Sequence, residues 1–346
     1  MLDLLVVGGG PAGAATAIHA ALAGMTVRVW EPRSVPIDKA CGEGLMPSGV
    51  RMLREDLGVG VSGTPFHGIR YRNEHTAATA RFASGPGLGI RRTELSDRLH
   101  ARLAELGVPV VAARAEPLVV HADRVEVDGM SARWLAAADG LHSPIRRQLG
   151  LGGPPPKRPP RRFGLRRHVA VPAWTDLVEV HWAERSEAYV TPVPGGVGIA
   201  ILTSDQGSFD RQLDRFGWLR QRVAGRHGFS PVRGAGPFLQ RVRRRTYGPV
   251  LLVGDAAGYL DALTGEGLSI AFASARELVR CLITGQDYDR AWLRATRGYR
   301  WLTGALVGAR ARPTIAGRIV PTAAQFPAVF TRAVRILADQ ATTLDT

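Results

Sequence analysis

The chain has 346 residues, of which 45% are hydrophobic and 22% charged, as in an ordinary globular protein with a large core. Its formal charge is +15, and all but two of its 45 basic residues are arginines. Because these arginines are scattered, apart from 157–167 and 241–245, the charge does not predict a nucleic-acid-binding protein. It favours attraction of a phosphate-bearing cofactor or an anionic membrane surface. Cys41 and Cys281 are the only cysteines, which excludes a disulfide framework and makes the reducing cytoplasm the expected location.

The N-terminal segment has the pattern of a phosphate-binding turn. Residues 4–7 form an apolar run typical of a strand buried on both faces. The run leads into G-x-G-x-x-G at Gly8, Gly10 and Gly13, then into a predicted helix and a second strand that ends at Glu31. Such glycines let backbone N–H groups approach a pyrophosphate, and an acid about twenty residues later suits ribose hydroxyls. The segment therefore predicts a dinucleotide site.

Residues 37–47 are predicted to form a loop that crosses in front of this turn. The loop combines glycines with Lys39, Cys41 and Glu43, a mixture that does not suit a core element. Lys39 is either a cofactor contact or an ordinary surface lysine. Cys41 is either a small buried apolar residue or a residue that lines the reaction chamber. A helix is expected to follow from Pro47.

The middle of the chain alternates between strand and helix patterns. The predicted elements are paired strands over 66–72 and 76–82, a helix with leucines 95, 99, 103 and 106 on its apolar face, a buried strand over 108–112, a hairpin over 119–127 and a strand over 133–138. A proline-rich linker at 151–162 marks the clearest boundary.

Beyond the linker the pattern is that of an antiparallel sheet with one covered face. Its strands are expected at 166–171, 177–182, 188–193 and 197–202. A helix is predicted over 209–222 and another buried strand over 250–253. The remainder, 288–344, is predicted to be helical and broken by Pro313, Pro321 and Pro327.

Three separated motifs have a recognisable order: the glycine turn, Asp139-Gly-x-x-Ser-x-x-Arg146, and Gly254-Asp255 followed by Gly265-x-Gly267. Together they resemble the FAD-dependent oxidoreductases of the para-hydroxybenzoate hydroxylase fold, a group that includes flavin monooxygenases and geranylgeranyl reductases. The resemblance covers nearly the whole chain. It implies an α/β fold, with a Rossmann-like FAD-binding domain, an inserted and mostly antiparallel β-sheet substrate domain, and C-terminal helices. The FAD-binding domain would comprise 1–64, 88–155 and 245–285, the substrate domain 65–87 and 156–244, and the helical segment 286–346.

The resemblance also implies roles for individual residues. Those expected to bind FAD are Gly8, Gly10, Pro11, Ala12, Gly13, Glu31, Pro32, Arg33, Lys39, Arg92, Asp139, Gly254, Asp255, Gly265, Glu266, Gly267 and Leu268. Cys41, Gly265 and Gly267 would lie beside the flavin ring, with no assigned acid or base, and Tyr189 and Pro192 would contact substrate. NAD(P)H is the implied reductant. No metal site is expected, because the nine histidines lack acidic or cysteine partners at useful intervals.

Two activities of this family stay open. The preferred interpretation is an NAD(P)H-dependent monooxygenase that hydroxylates an aromatic or polyketide-like small molecule through a flavin C4a-hydroperoxide. The alternative is a geranylgeranyl reductase-like enzyme that reduces isoprenoid double bonds by hydride transfer from flavin N5. The Gly-Glu-Gly of residues 265–267 and the Lys-Ala-Cys-Gly-Glu-Gly of residues 39–44 are more similar to the reductase branch. Flavin halogenases share the fold, but their W-x-W-x-I-P motif is absent from the sequence.

The C-terminal arm, from Trp301 to Leu337, interleaves aliphatic and phenylalanine side chains with arginines 310, 312, 318, 332 and 335. Prolines cut it into helices too short to cross a bilayer. Either these helices cap the FAD domain, or part of the arm rests on an anionic lipid surface from which a lipid-soluble substrate enters. We therefore expect a small-molecule substrate, no nucleic-acid partner, and a cytoplasmic protein for which peripheral contact with the inner face of the membrane stays open.

Overall fold

The computed structural model describes residues 1–154 and 161–339. In chain order the strands are β1 (Leu2–Val7), β2 (Val27–Trp30), β3 (Gly44–Leu45), β4 (Thr64–Phe66), β5 (Gly68–Arg72), β6 (Ala77–Arg81), β7 (Gly87–Gly89), β8 (Val110–Val111), β9 (Leu118–Val120), β10 (Val125–Val127), β11 (Met130–Ala137), β12 (Phe163–Val169), β13 (Val178–Trp182), β14 (Ser186–Val193), β15 (Gly196–Thr203), β16 (Arg233–Ala235), β17 (Thr246–Tyr247) and β18 (Val250–Leu252).

The helices are α1 (Pro11–Leu22), α2 (Pro47–Arg51), α3 (Arg92–Glu105), α4 (Pro144–Gln148), α5 (Phe209–Leu213), α6 (Gly217–Arg222), α7 (Gly267–Thr284), α8 (Tyr288–Arg310), α9 (Pro313–Ala316), α10 (Ile319–Gln325) and α11 (Pro327–Asp339). A wide helical turn over Met52–Asp56 continues α2, and a short 3₁₀ turn over Gly254–Ala257 follows β18.

The first sheet is built on β1, whose residues Leu4, Leu5 and Val6 are fully buried. Its main order is β17-β18-β11-β1-β2-β8, and β1 pairs in parallel with both β11 and β2. Carboxyl ends of parallel strands meet at one edge of a sheet, which is where ligands bind in open α/β folds. The glycine turn, Glu31, Asp139 and Gly254 therefore converge at this edge.

The second sheet has the order β16-β12-β15-β14-β13-β5-β6, and its pairs are antiparallel except for β5 with β13. The prediction of one covered face is wrong, because both faces are covered. On one face Val180 and Trp182 pack with α11, and on the other Val190 and Ile199 pack with α5 and α6. The alternation of polar and apolar residues predicted a solvent-exposed face, but several of the polar residues on these strands are buried in ion pairs. A third small sheet, β3-β7-β4, lies against β14.

Three other predicted elements differ from the structure. The strand expected over 108–112 is only β8, whose valines are each 38% exposed because it is the outermost strand of the first sheet. The helix expected over 209–222 is divided into α5 and α6, with Leu213 and Phe216 both buried at the break. Pro321 does not break the arm, because it lies in the first turn of α10, where no backbone N–H is required.

A buried ion-pair network joins the second sheet to the C-terminal half of the chain. Arg162 donates to Glu187 at 2.8 Å and to Asp261 at 2.9 Å. Arg310, at the end of α8, pairs with the same Glu187. All four side chains are at most 8% exposed. Glu187 thus lies between two arginines that come from different parts of the fold.

We predict that Glu187→Ala lowers the free energy of unfolding by about 3–5 kcal/mol, because it leaves buried guanidinium groups without their partner. Chemical denaturation measures the change. The matched control is Asp214→Ala, which removes an exposed carboxylate paired with Arg220 at 3.0 Å and should leave the denaturation midpoint unchanged. Similar losses in the two variants would contradict the assignment of Glu187 as a structural centre.

Candidate functional site

A cavity of about 810 Å³ opens between the carboxyl edge of the first sheet and the second sheet. It brings together most of the residues that the sequence predicts as functional. Those that line it are Gly8, Gly10, Pro11, Ala12, Glu31, Pro32, Arg33, Lys39, Cys41, Arg92, Asp139, Tyr189, Asp255, Gly265, Gly267 and Leu268. Four of the predicted residues do not line the cavity, namely Gly13, Pro192, Gly254 and Glu266.

The glycine turn has the geometry that its spacing predicts. Gly8 has a φ of 106°, and a Cβ on Gly13 would lie 1.8 Å from the carbonyl oxygen of Gly8. Gly13 and Gly254 therefore permit close packing of α1; a Cβ on Gly254 would come within 2.5 Å of the Cβ of Ala12. At Gly10 the nearest atom to such a Cβ is 3.9 Å away, so this residue leaves open space in front of the N-terminus of α1. A phosphate group fits that position.

Glu31 holds the turn from the end of β2. Its Oε2 accepts the N–H of Gly9 at 2.8 Å, and Arg33 donates to both carboxylate oxygens at 2.8 Å. Burial alone would raise the pKa of Glu31, but the hydrogen bonds from Arg33 and Gly9 outweigh it and lower the pKa. The side chain is therefore a carboxylate at neutral pH, as a ribose-binding residue requires.

Two buried polar atoms of the cavity wall point to a polar ligand. Among residues 1–154 and 161–339, neither Nη1 of Arg92 nor Oδ1 of Asp139 has a hydrogen-bond partner in the protein. The other carboxylate oxygen of Asp139 accepts the N–H of Ile145 at 3.1 Å, and burial raises the pKa of Asp139. Lys39 and Asp255 also meet in the wall, at 3.3 Å. Unsatisfied buried polar atoms are rare, so these residues fit the polar part of the FAD that the resemblance implies.

The Gly-Glu-Gly motif forms the start of α7. Gly265 has a φ of 71°, and Gly267 and Leu268 face the cavity at the positive end of the helix. Glu266 turns away from the cavity and is 3% exposed, and burial raises the pKa of its carboxyl group well above the usual value.

The far end of the cavity is apolar. Its lining includes Met46, Phe66, Ile69, Val178, Val180, Leu202, Phe238, Leu263 and Leu337. Tyr189 also lines the cavity, and its hydroxyl donates to the carbonyl of Leu263 at 2.5 Å. Pro192 packs instead against Gly89, where a Cβ would lie 1.6 Å from the proline carbonyl oxygen.

The loop over 38–44 is attached to the second sheet by residues that the sequence did not single out as functional. Arg166 pairs with Asp38, and the carboxylate of Glu43 lies 2.5 Å from Nε2 of His168. Cys41 lies in the cavity wall, where burial raises the pKa of its thiol. The one available sequence signal is that Arg166 and His168 are two residues apart and thus share a face of β12.

Comparisons with known proteins agree with this geometry. Residues 1–199 match the family model described as FAD binding domain. The chain is similar to the menaquinone reductase of Mycolicibacterium smegmatis, with 27% identity over 332 residues that cover 84% of this chain and 79% of that protein. It is also similar to the digeranylgeranylglycerophospholipid reductase of Thermoplasma acidophilum, with 25% identity over 317 residues, 83% of this chain and 80% of that protein.

Among solved structures, a flavoprotein/dehydrogenase from Cytophaga hutchinsonii superposes with a TM-score of 0.76 at 17% identity, over 99% of this chain and 98% of that one. This likeness concerns the fold, and it includes both sheets and the C-terminal helices. The family match covers more than half of the chain and includes the glycine turn, Arg92 and Asp139. The chain therefore belongs to the FAD binding domain family and is an FAD-dependent oxidoreductase of the para-hydroxybenzoate hydroxylase fold.

Proposed function

We propose that the protein is a reductase that adds hydrogen across a carbon–carbon double bond of an isoprenoid chain carried by a quinone or a lipid. The observation that carries this proposal is the apolar end of the cavity, which is lined by aliphatic and aromatic side chains from both sheets and α11. The two reductases described above support it. The sequence-based preference for a monooxygenase therefore gives way to its alternative.

Bound FAD would supply the hydride, with NAD(P)H as its reductant. The N-terminus of α1, beside Gly10, would hold the pyrophosphate, and Glu31 the adenosine ribose. Asp255 would bind the ribityl chain. The positive end of α7 would stabilise negative charge on the pyrimidine edge of the reduced ring. Cys41 would lie near the ring as a neutral thiol, because its pKa is raised.

The apolar end would hold the isoprenoid chain. Each buried methylene contributes about 0.8 kcal/mol to binding, so a prenyl chain of several units binds without polar contacts. Tyr189 and Tyr71 add ring surface, and burial raises the pKa of both phenols. The same walls exclude water from the position where the double bond would react.

The C-terminal arm supports a lipid-borne substrate. Phe330, Val334 and Leu337 of α11 are buried on the second sheet, and Leu337 also lines the cavity. On the outer side of the same helix Val329 is 67% and Ile336 46% exposed, beside exposed Arg332 and Arg335. The sequence over 290–338 contains nine arginines and no acidic residue. No helix in the described ranges could cross a membrane.

We predict that the protein, with its FAD reduced under anaerobic conditions, converts a menaquinone with an unsaturated side chain to a product two hydrogens heavier. Mass spectrometry of the extracted quinone measures the change. A monooxygenase would instead need oxygen and add one oxygen atom to an aromatic substrate. Oxygen-dependent incorporation, with no change in saturation, would contradict the reductase proposal.

We predict that Asp255→Ala weakens FAD retention because it removes the side chain assigned to the ribityl hydroxyls. Flavin fluorescence after gel filtration measures the retained fraction. Asp56→Ala is a suitable control, because Asp56 also pairs with one basic side chain, Arg276 at 3.2 Å, and does not line the cavity. Equal FAD retention in the two variants would contradict the assignment of Asp255 to the ribityl chain.

We predict that the protein sediments with phosphatidylglycerol vesicles at low salt and less at high salt, and not with neutral vesicles. Each arginine near an anionic surface contributes about 1 kcal/mol, so Arg332→Glu with Arg335→Glu should lower the vesicle partition coefficient at least about tenfold. Val329→Ser with Ile336→Ser should also weaken binding.

The control variant is Arg211→Glu with Arg226→Glu. These two exposed arginines lie on and near the short helices that cover the opposite face of the second sheet. Their reversal changes the net charge equally and should leave vesicle binding nearly unchanged. Equal losses would mean that net charge, and not the α11 surface, governs binding; protein that stays in the supernatant would contradict lipid contact altogether.

A further inference from the structure

A continuous hydrogen-bond chain runs from the surface to the cavity wall beside Cys41. Ser230, which is half-buried, lies with its hydroxyl 2.7 Å from Nδ1 of His168. The opposite ring nitrogen of His168 lies 2.5 Å from Oε2 of Glu43, and Glu43 lines the cavity. The side chains of His168 and Glu43 are 2% and 1% exposed. Three groups that can each hold or pass a proton thus connect solvent with the reaction chamber.

The backbone holds the inner end of this chain in an unusual conformation. Glu43 has a φ of 59°, a region that residues other than glycine seldom adopt. Its second carboxylate oxygen accepts the backbone N–H of Arg92 at 2.9 Å, and its own N–H donates to the sulfur of Cys41 at 3.4 Å. Such strain persists where the surroundings fix it, and it concentrates at functional sites.

The outer end is also fixed. The ring of His168 stacks on Phe229, with centroids 5.3 Å apart, and the backbone N–H of His168 donates to the Ser230 hydroxyl at 3.1 Å. The Arg166 guanidinium lies close to both His168 and Glu43. Its Nη1 is 3.5 Å from Nδ1 of His168 and its Nε is 3.8 Å from Oε1 of Glu43, and it also pairs with Asp38. The imidazole therefore keeps one nitrogen toward the surface and the other toward the cavity.

We propose that Ser230, His168 and Glu43 form a proton wire that delivers the proton needed to saturate the double bond, an inference that rests on the proposed reductase function. FAD, when bound and reduced, would supply a hydride, which would bring both electrons to one carbon as the π bond breaks. The Glu43 carboxyl gives its proton to the neighbouring carbon, so that two C–H bonds form. The Glu43 carboxylate regains a proton from Nε2 of His168, and Nδ1 takes one from solvent through Ser230. Glu43 is then the catalytic acid, and His168 and Ser230 are positioning residues.

A second buried Glu–His pair provides the matched control. His181 lies 3.3 Å from Glu179 on β13, one strand of the same sheet, and neither residue lines the cavity. Glu179→Gln therefore makes the same chemical change in a comparable pair away from the reaction chamber. If Glu43 served only in packing, Glu43→Gln and Glu179→Gln would reduce the double bond at similar rates.

The first measurement tests the proton wire itself, in the FAD-bound 346-residue chain labelled with ¹⁵N-histidine. The buried His168–Glu43 hydrogen bond, shielded from solvent, should give a low-field proton resonance, identified by its loss in His168→Gln. Saturation of the water signal should attenuate this resonance in the wild type, and Ser230→Ala should lose that attenuation. Attenuation that persists unchanged in Ser230→Ala overturns the proposal.

The second measurement is anaerobic single turnover of pre-reduced enzyme with menaquinone. Glu43→Gln should slow double-bond reduction by about 100-fold, because general acids contribute at least that much. Glu179→Gln, which makes the same change away from the cavity, should turn over like the wild type. A Glu43→Gln variant that saturates the double bond at the wild-type rate overturns the proposal. If the wild type saturates no double bond, the proposed function fails, and the resonance measurement still decides whether the wire exists.

Discussion

Charged side chains buried between the two sheets must be paired, and this requirement holds the cavity together. An unpaired buried charge costs several kcal/mol, so each pair fixes the position of the segments that supply it. On one side Asp38 and Glu43 attach the loop over 38–44 to β12 through Arg166 and His168. On the other, Glu187 joins the second sheet to α8 through Arg310. The ligand-binding edge of the first sheet is thereby closed by the second.

The polar half of the site could be predicted from sequence because its determinants are local. A strand, a glycine turn and a helix occupy consecutive residues, and parallel pairing then brings the ends of β1, β2, β11 and β18 to the same edge. Glu31, Asp139 and Gly254 follow the ends of these strands closely. The roles of Arg92, Asp255, Gly265 and Gly267 were implied by the family resemblance.

The remaining features depend on contacts between distant residues. The Glu43–His168 contact joins residues 125 positions apart, and no periodicity relates them. Polar residues inside β13 and β14 look solvent-facing in sequence, yet Glu179 and Glu187 are buried because each has basic partners. The sequence also favoured hydroxylation over the reduction that we propose, because the apolar end of the cavity is assembled from several separate segments.

The position of Leu337 has a consequence for how specificity changes in this fold. This residue closes the apolar end of the cavity, yet it belongs to the last helix described and is far along the chain from every cofactor-facing motif. Altered side chains in α11 at the position of Leu337 would lengthen or shorten the pocket without any change in the two sheets. Under the proposed function, changes in this one helix would alter the number of prenyl units that the pocket accepts.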